Sequence, residues 1–221
     1  MNTIIFLDEI IKQDKEKFKS LNKTINLLNN PNDEISFAIE YNNLSKVYEN
    51  ILIKTASNKQ LPADLKINNW TNLELARIYF LIKITDKFEQ EYEYIIENLF
   101  KTADINELVA LYKSFPYLPQ PQKFLFRAQE GARSNINLLF DAIALNNPYP
   151  MNFFNENSWN QLILKAFFIE SDVKQIIGIE RRANSSLVTL LTDFASEKSA
   201  AGRTVDPELW NLIKISQNVE S

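Results

Sequence analysis

Apolar residues spaced alternately three and four apart constrain the fold of this chain more than any other feature. Ile4, Ile11, Phe18 and Ile25 stand seven apart, and Leu7, Leu21 and Leu28 form a companion row three positions further on. A helix turns once in about 3.6 residues, so both rows fall on one face. Asp14 interrupts the second row, which places it near a helix end or a partner charge. Asn29-Asn30-Pro31-Asn32-Asp33 then breaks the helix. The seam resumes as Phe37, Tyr41, Leu44, Tyr48 and Ile51. Residues 1–53 therefore read as a helical hairpin, because long helices joined by so short a turn pack antiparallel. A dimerising coiled coil is the alternative use of the seam, so the chain is expected to be a monomer or a homodimer.

Residues 54–70 are polar and irregular around Leu61-Pro62, and mark a weak boundary. Leu61, Leu65, Ile67 and Trp70 suggest that this stretch lies against the core. Thr71-Asn72-Leu73-Glu74 is a capping box, in which hydroxyl and carboxylate each take a backbone N–H that the helix leaves free. The helix behind it is apolar on nearly all sides and is expected to be central. Phe88 to Phe100 reads as a more acidic surface helix. Asp104 to Glu107 repeats the cap before the stripe of Ile105, Leu108, Val109 and Tyr112. Pro116, Pro119 and Pro121 separate this helix from the next. Gln122 to Asn146 is helical, with a kink or split at Gly131 or Ser134-Asn135. Asn147-Pro148-Tyr149-Pro150 is a rigid turn. Two further stripes follow, Trp159-Leu162-Ile163-Ala166-Phe167 and Leu187-Leu190-Leu191-Phe194. Asp206 and Pro207 open the last helix, which Trp210 and Ile213 are expected to dock. No convincing strand appears, and three glycines and eight prolines are few for a β-protein. The fold class is all-α, an irregular α-α superhelix or multi-helix bundle of antiparallel helix pairs, with about eight to ten helices. It is read as a single domain over 1–221, with the hairpin at 1–53 and a helical core at 70–213.

Histidine and cysteine are both absent. Their absence excludes disulfides, thiolate nucleophiles, Ser-His-Asp chemistry and zinc held by those ligands. No glycine-rich phosphate loop and no acidic metal motif is present, so neither cofactor nor metal is expected. With 24 basic and 28 acidic residues, the chain carries no nucleic-acid footprint. It has no positively charged leader and no apolar run long enough to span a bilayer, so a cytoplasmic protein without a membrane span is expected.

The stretch from Phe124 to Trp210 holds all three glycines and five of the six arginines. Within it, Arg127 to Asn135 reads RAQEGARSN, followed by Asn147-Pro148-Tyr149-Pro150 and by Ser158-Trp159-Asn160-Gln161 with Leu164-Lys165-Ala166. Gly178 to Asn184 reads GIERRAN, and Ala200-Ala201-Gly202-Arg203 precedes Pro207-Glu208-Leu209-Trp210. Trp70, Leu75-Ala76-Arg77 and the stretch from Ala103-Asp104 to Leu118-Pro119 add less specific matches. This ordered set, over about residues 70–213, resembles the EboA family. The resemblance implies a cytoplasmic protein of secondary metabolism, encoded in a cluster linked to traffic of metabolite precursors. It implies the other proteins of that cluster as partners, and no reaction. The family pattern carries His where this chain has Phe153 or Phe154. It carries His-Glu-Arg-Trp where this chain has Ser196-Glu197-Lys198-Ser199, so any chemistry of those histidines is missing here.

Arg127, Glu130 and Arg133 lie on one helical side, where Glu130 can pair with both arginines. They either brace helices or, with Arg181, Arg182 and Arg203, form an anion site for a carboxylate, phosphate or prenyl diphosphate. Asn135, Asn147 and Asn160 read as caps or clamps of the turn at 147–150. Tyr149, Trp159 and Phe154 read as core, with a ligand-stacking box as the alternative. Lys165 lies beside the Trp159 stripe. Glu130, Asp141, Asp193 and Glu197 are carboxylates with no spacing that singles out an acid–base pair. Two readings follow. The first is a non-catalytic adaptor that helps handle or export a precursor. The second is a binding protein or enzyme acting on an anionic precursor through the ligand-binding set Arg127, Glu130, Arg133, Asn135, Asn147, Tyr149, Trp159, Asn160, Lys165, Arg181 and Arg203. An enzyme is the lesser of these expectations.

Overall fold

The computed structural model describes residues 3–53, 65, 67 and 69–218. Among them are twelve α-helices and one isolated antiparallel bridge between Leu52 and Thr71, so the chain is an all-α, multi-helix protein. No helix of the described residues is long and apolar enough to cross a membrane. The contacts fall into two compact units, Met1–Phe124 and Leu125–Ser221.

The first unit contains α1 (Thr3–Ile11), α2 (Lys15–Leu27), α3 (Glu34–Asn43), α4 (Asn72–Lys87), α5 (Tyr92–Thr102) and α6 (Ile105–Ser114). The long first helix of the expected hairpin is two helices. The Asp14 carboxylate accepts the Lys17 N–H at 3.1 Å and starts α2 afresh, an option a Leu at that place would lack. The hairpin is also not its own main partner: α1 and α2 pack on α4, and α3 packs on α5. The seam is buried from Leu7 to Tyr48, apart from the half-buried Phe18. Ile51 is exposed, because α3 ends at Asn43 and a single 3-10 turn ends the helical register. Leu65, Ile67 and Trp70 are buried as expected, while Leu61 lies outside the described residues.

The helix α4 is central, packed by α1, α2, α5 and α6. Its capping box is formed, with Thr71 N–H to Glu74 at 2.8 Å and Glu74 N–H to Thr71 Oγ1 at 3.2 Å. The second box, Asp104 with Glu107, opens α6. In that helix Ile105 is exposed, and the buried side is carried by Val109, Ala110, Leu111 and Tyr112. Glu107 also receives the buried Arg77 guanidinium at 3.4 Å and the Asn42 amide at 3.1 Å. A carboxylate that caps a helix and pairs with a buried arginine ties α3, α4 and α6 together.

The second unit contains α7 (Leu125–Arg133), α8 (Asn137–Ala144), α9 (Tyr149–Phe153), α10 (Glu156–Phe168), α11 (Ser185–Ala200) and α12 (Pro207–Asn218). The expected helix from Gln122 to Asn146 splits after Arg133, where Ser134 Oγ accepts the Ile136 N–H at 3.1 Å. The splits at Asp14 and Ser134, with the short α9, carry the helix number above the eight to ten expected. The Tyr149-Pro150-Met151-Asn152-Phe153 stretch is itself one helical turn, entered through Pro148. Asp206 Oδ1 accepts the Glu208 N–H at the start of α12. Leu209, Leu212 and Ile213 dock that helix, whereas Trp210 is 43% exposed, one position round from the inward face.

Candidate functional site

The helix α10 positions the site. Asn155 caps it, accepting the Ser158 N–H at 2.8 Å. Its inward stripe, Trp159, Leu162, Ile163, Ala166 and Phe167, is buried. A second row, Ser158, Gln161, Lys165 and Phe168, lies beside the first at spacings of three, four and three. This row is the floor of a half-open groove of about 620 Å³. Helix α10 packs on both α7 and α11. From α7 come Gln129, Ala132 and Arg133, and from α11 come Phe194 and Glu197. Asn135, Phe154, Asn157, Leu162, Leu164 and Ile169 complete the lining.

Two cations face this space differently. Lys165 Nζ donates to the Ser134 carbonyl at 2.6 Å and sits 5.4 Å from the centre of the Phe140 ring. It therefore ties the turn after α7 to α10, and burial pushes its pKa below the ordinary lysine value. Arg133 is exposed and makes no side-chain hydrogen bond or ion pair among the described residues. Glu130, expected to serve both neighbouring arginines, turns to Arg127 at 2.8 Å, and no pair to Arg133 is formed. Glu197 is exposed on the groove wall.

A second recess, about 720 Å³, shares Phe168, Phe194 and Glu197 with the groove and continues to Lys198, Gly202 and Arg203. The chain turns there because α11 ends in a Schellman motif. Gly202 has φ +67°, its N–H meets the Ser199 carbonyl at 3.0 Å, and the Arg203 N–H meets the Lys198 carbonyl at 2.9 Å. The ordered Ala200-Ala201-Gly202-Arg203 segment is thus a helix stop, and it leaves the Arg203 side chain exposed.

The remaining polar residues form a brace. Asn147 donates to the Ala142 carbonyl at 3.0 Å and accepts the Tyr149 N–H at 2.9 Å, which clamps the entry to α9. Tyr149 is fully buried, and burial raises its pKa well above the ordinary value. Asn160 and Asn184 exchange amide hydrogen bonds at 3.0 and 2.9 Å, while Asn184 caps α11 through the Leu187 N–H. Arg182 donates to the Pro150 and Met151 carbonyls at 2.9 and 3.2 Å, and its guanidinium lies 4.8 Å from the Trp159 ring centre. Arg181 is exposed and approaches the Met151 sulfur. Gly178 has φ +83°, and a Cβ there would collide with the Met151 side chain. The segments at 147–150, 158–161 and 178–184 therefore meet around α9.

Of the ligand-binding set expected from the sequence, the groove gathers Arg133, Asn135 and Lys165, and Phe154 and Glu197 join them on its lining. Arg127 and Glu130 pair with one another, Arg203 belongs to the adjoining recess, and Asn147, Tyr149, Trp159, Asn160 and Arg181 belong to the brace. Gln129, Gln161, Leu164, Phe168 and Phe194 line the groove without having been picked out as ligand-binding residues. The available signal was the second row on α10, a polar and aromatic stripe beside the apolar one. Among the described residues no group of acidic side chains is placed to hold a metal ion.

No curated protein and no solved structure matches the chain. A family model does match, over residues 6–214, and its description is metabolite traffic protein EboA. The match reaches well upstream of the 70–213 stretch that carried the resemblance and takes in most of α1, with all of α2 and α3. The chain belongs to the EboA family.

Proposed function

We propose that this protein handles a metabolite without turning it over, and that it holds an anionic small molecule in the groove of its C-terminal unit. One observation carries the reading: Arg133 stands at a largely apolar groove and has no partner among the described residues. An arginine fork without a carboxylate is ready for a carboxylate or phosphate from outside. Concave, mostly apolar spaces with a few polar groups are where small molecules bind. The family description, a metabolite traffic protein, fits the same role. Handling rather than catalysis is favoured because Lys165, the amine with a lowered proton affinity, is held by a backbone carbonyl.

The test is thermal stability against a panel of phosphorylated and carboxylated metabolites, in the wild type and in Arg133→Ala. A ligand at 100-fold its Kd stabilises by about 2.7 kcal/mol. A stabilisation that survives Arg133→Ala unchanged would remove the groove from the account.

A second reading makes the protein a cytoplasmic adaptor for other products of its gene cluster. Ile35 and Ile39, one turn apart on α3, are 73% and 50% exposed. An unpartnered apolar pair suits a protein contact. Co-purification with each cluster product, lost on Ile35→Glu, is the outcome expected from that role. Retention of every such contact in Ile35→Glu would count against this face.

A further inference from the structure

We infer that the ligand of the groove is an amphiphile, a single carboxylate or phosphate head on an extended hydrocarbon body. This rests on the reading of the groove as an anion site. The head faces Arg133, where Asn135 and Lys165 are close by on the same lining. The body lies across Phe168 and Phe194, the two aromatic rings common to the groove and the second recess.

Three observations point to that chemistry. First, Phe168 is 71% exposed although it lies on a helix with a well-filled apolar stripe. Apolar surface left in water at the floor of a groove is surface that a hydrocarbon body can cover favourably. Second, the rings of Phe168 and Phe194 line both recesses, so the space beside them continues past the groove in which the head sits. Third, Glu197 stands on that shared wall, exposed and acidic. A second anionic group partway along the body would meet this carboxylate, so one charged head followed by an uncharged tail fits best. Arg203 and Lys198 lie beyond it, and Lys198 is already engaged by Glu170 at 3.6 Å.

The experiment is calorimetry with the whole protein and a series of n-alkyl phosphates from ethyl to decyl, each kept below its micelle concentration. Affinity should rise by roughly two- to fourfold per methylene until the track is filled, then level off. Arg133→Ala should lower the affinity of every member by a similar factor. Phe168→Ser should flatten the dependence on length and leave ethyl phosphate unchanged. Phe168 is exposed, so its replacement should leave folding intact, which a denaturation curve checks. Binding that depends on Arg133 but not on chain length overturns the amphiphile and leaves the anion site standing. A length dependence untouched by Phe168→Ser also overturns it, because the tail then lies elsewhere. No binding by any member removes the anion site and the amphiphile together.

Discussion

Arg182 and Arg133 belong to the same unit, and their surroundings are opposite. Arg182 donates to the carbonyls of Pro150 and Met151 and sets its guanidinium over the ring of buried Trp159. Arg133 ends in an open groove without a described partner. The first guanidinium holds a one-turn helix in place, and no anion could take it without loosening α9. The second can be occupied at no cost to the fold. The same residue type therefore serves as brace or as receptor, and the acceptors placed around it decide which.

The brace should fail heavily. Trp159→Ala removes a fully buried indole and the platform under Arg182, and should cost about 3–5 kcal/mol in urea denaturation. A loss below about 1 kcal/mol would show that the brace is not packed as described. The two positive-φ glycines sharpen the contrast at a smaller scale. Gly178→Ala puts a Cβ into the Met151 side chain as well as forcing a residue into a left-handed conformation. Strain and overpacking together should cost about 2–4 kcal/mol. At Gly202, φ is +67° but nothing lies within 4 Å of a new Cβ, so Gly202→Ala should cost only about 1–2 kcal/mol. Adding Met151→Ala to Gly178→Ala should relieve its steric part. Equal losses at both glycines would break the distinction between a packed brace and an open rim. Arg133→Ala comes lower still, within about 0.5 kcal/mol of the wild type in the absence of ligand. A larger loss would make Arg133 a structural residue after all.

What the sequence made legible follows the same division. Both capping boxes, the central α4 and the buried stripe of α10 were readable because local hydrogen bonds and helical periodicity decide them. The break at Asp14 was half readable, since an Asp in an apolar row signals a cap but not whether the helix stops. Which face of α12 turns inward was misread at Trp210, because a large aromatic attracts a core assignment that its helical position does not support. The partner of Glu130 was undecidable from spacing, as Arg127 and Arg133 are both three residues away. The groove was the least legible part. Phe168 and Phe194 come from helices far apart in sequence, and only packing brings their faces onto one space. The brace depends equally on distant contacts, yet its residues stood out, because several of them crowd into short ordered segments such as Asn147-Pro148-Tyr149-Pro150.

Lys165 supplies the smallest effect and joins the two regions, since it lines the groove while holding the turn at Ser134. Burial lowers its pKa from the ordinary 10.5, so the native protein releases this proton at lower pH than the unfolded chain does. Below the native pKa, the charged amine carries its full desolvation cost. Between the native and unfolded values the unfolded chain binds more protons, and stability rises with pH. Relative to Lys165→Met, the wild type should therefore gain stability as pH is raised toward the ordinary lysine range. The difference between two urea midpoints isolates this, because every other titrating group is common to both proteins. A bound anion beside Nζ changes the sign of the local field and favours the protonated amine. With saturating octyl phosphate the gain should shrink or vanish. If it persists undiminished, the head group contacts Arg133 alone, and Lys165 belongs to the brace rather than to the receptor.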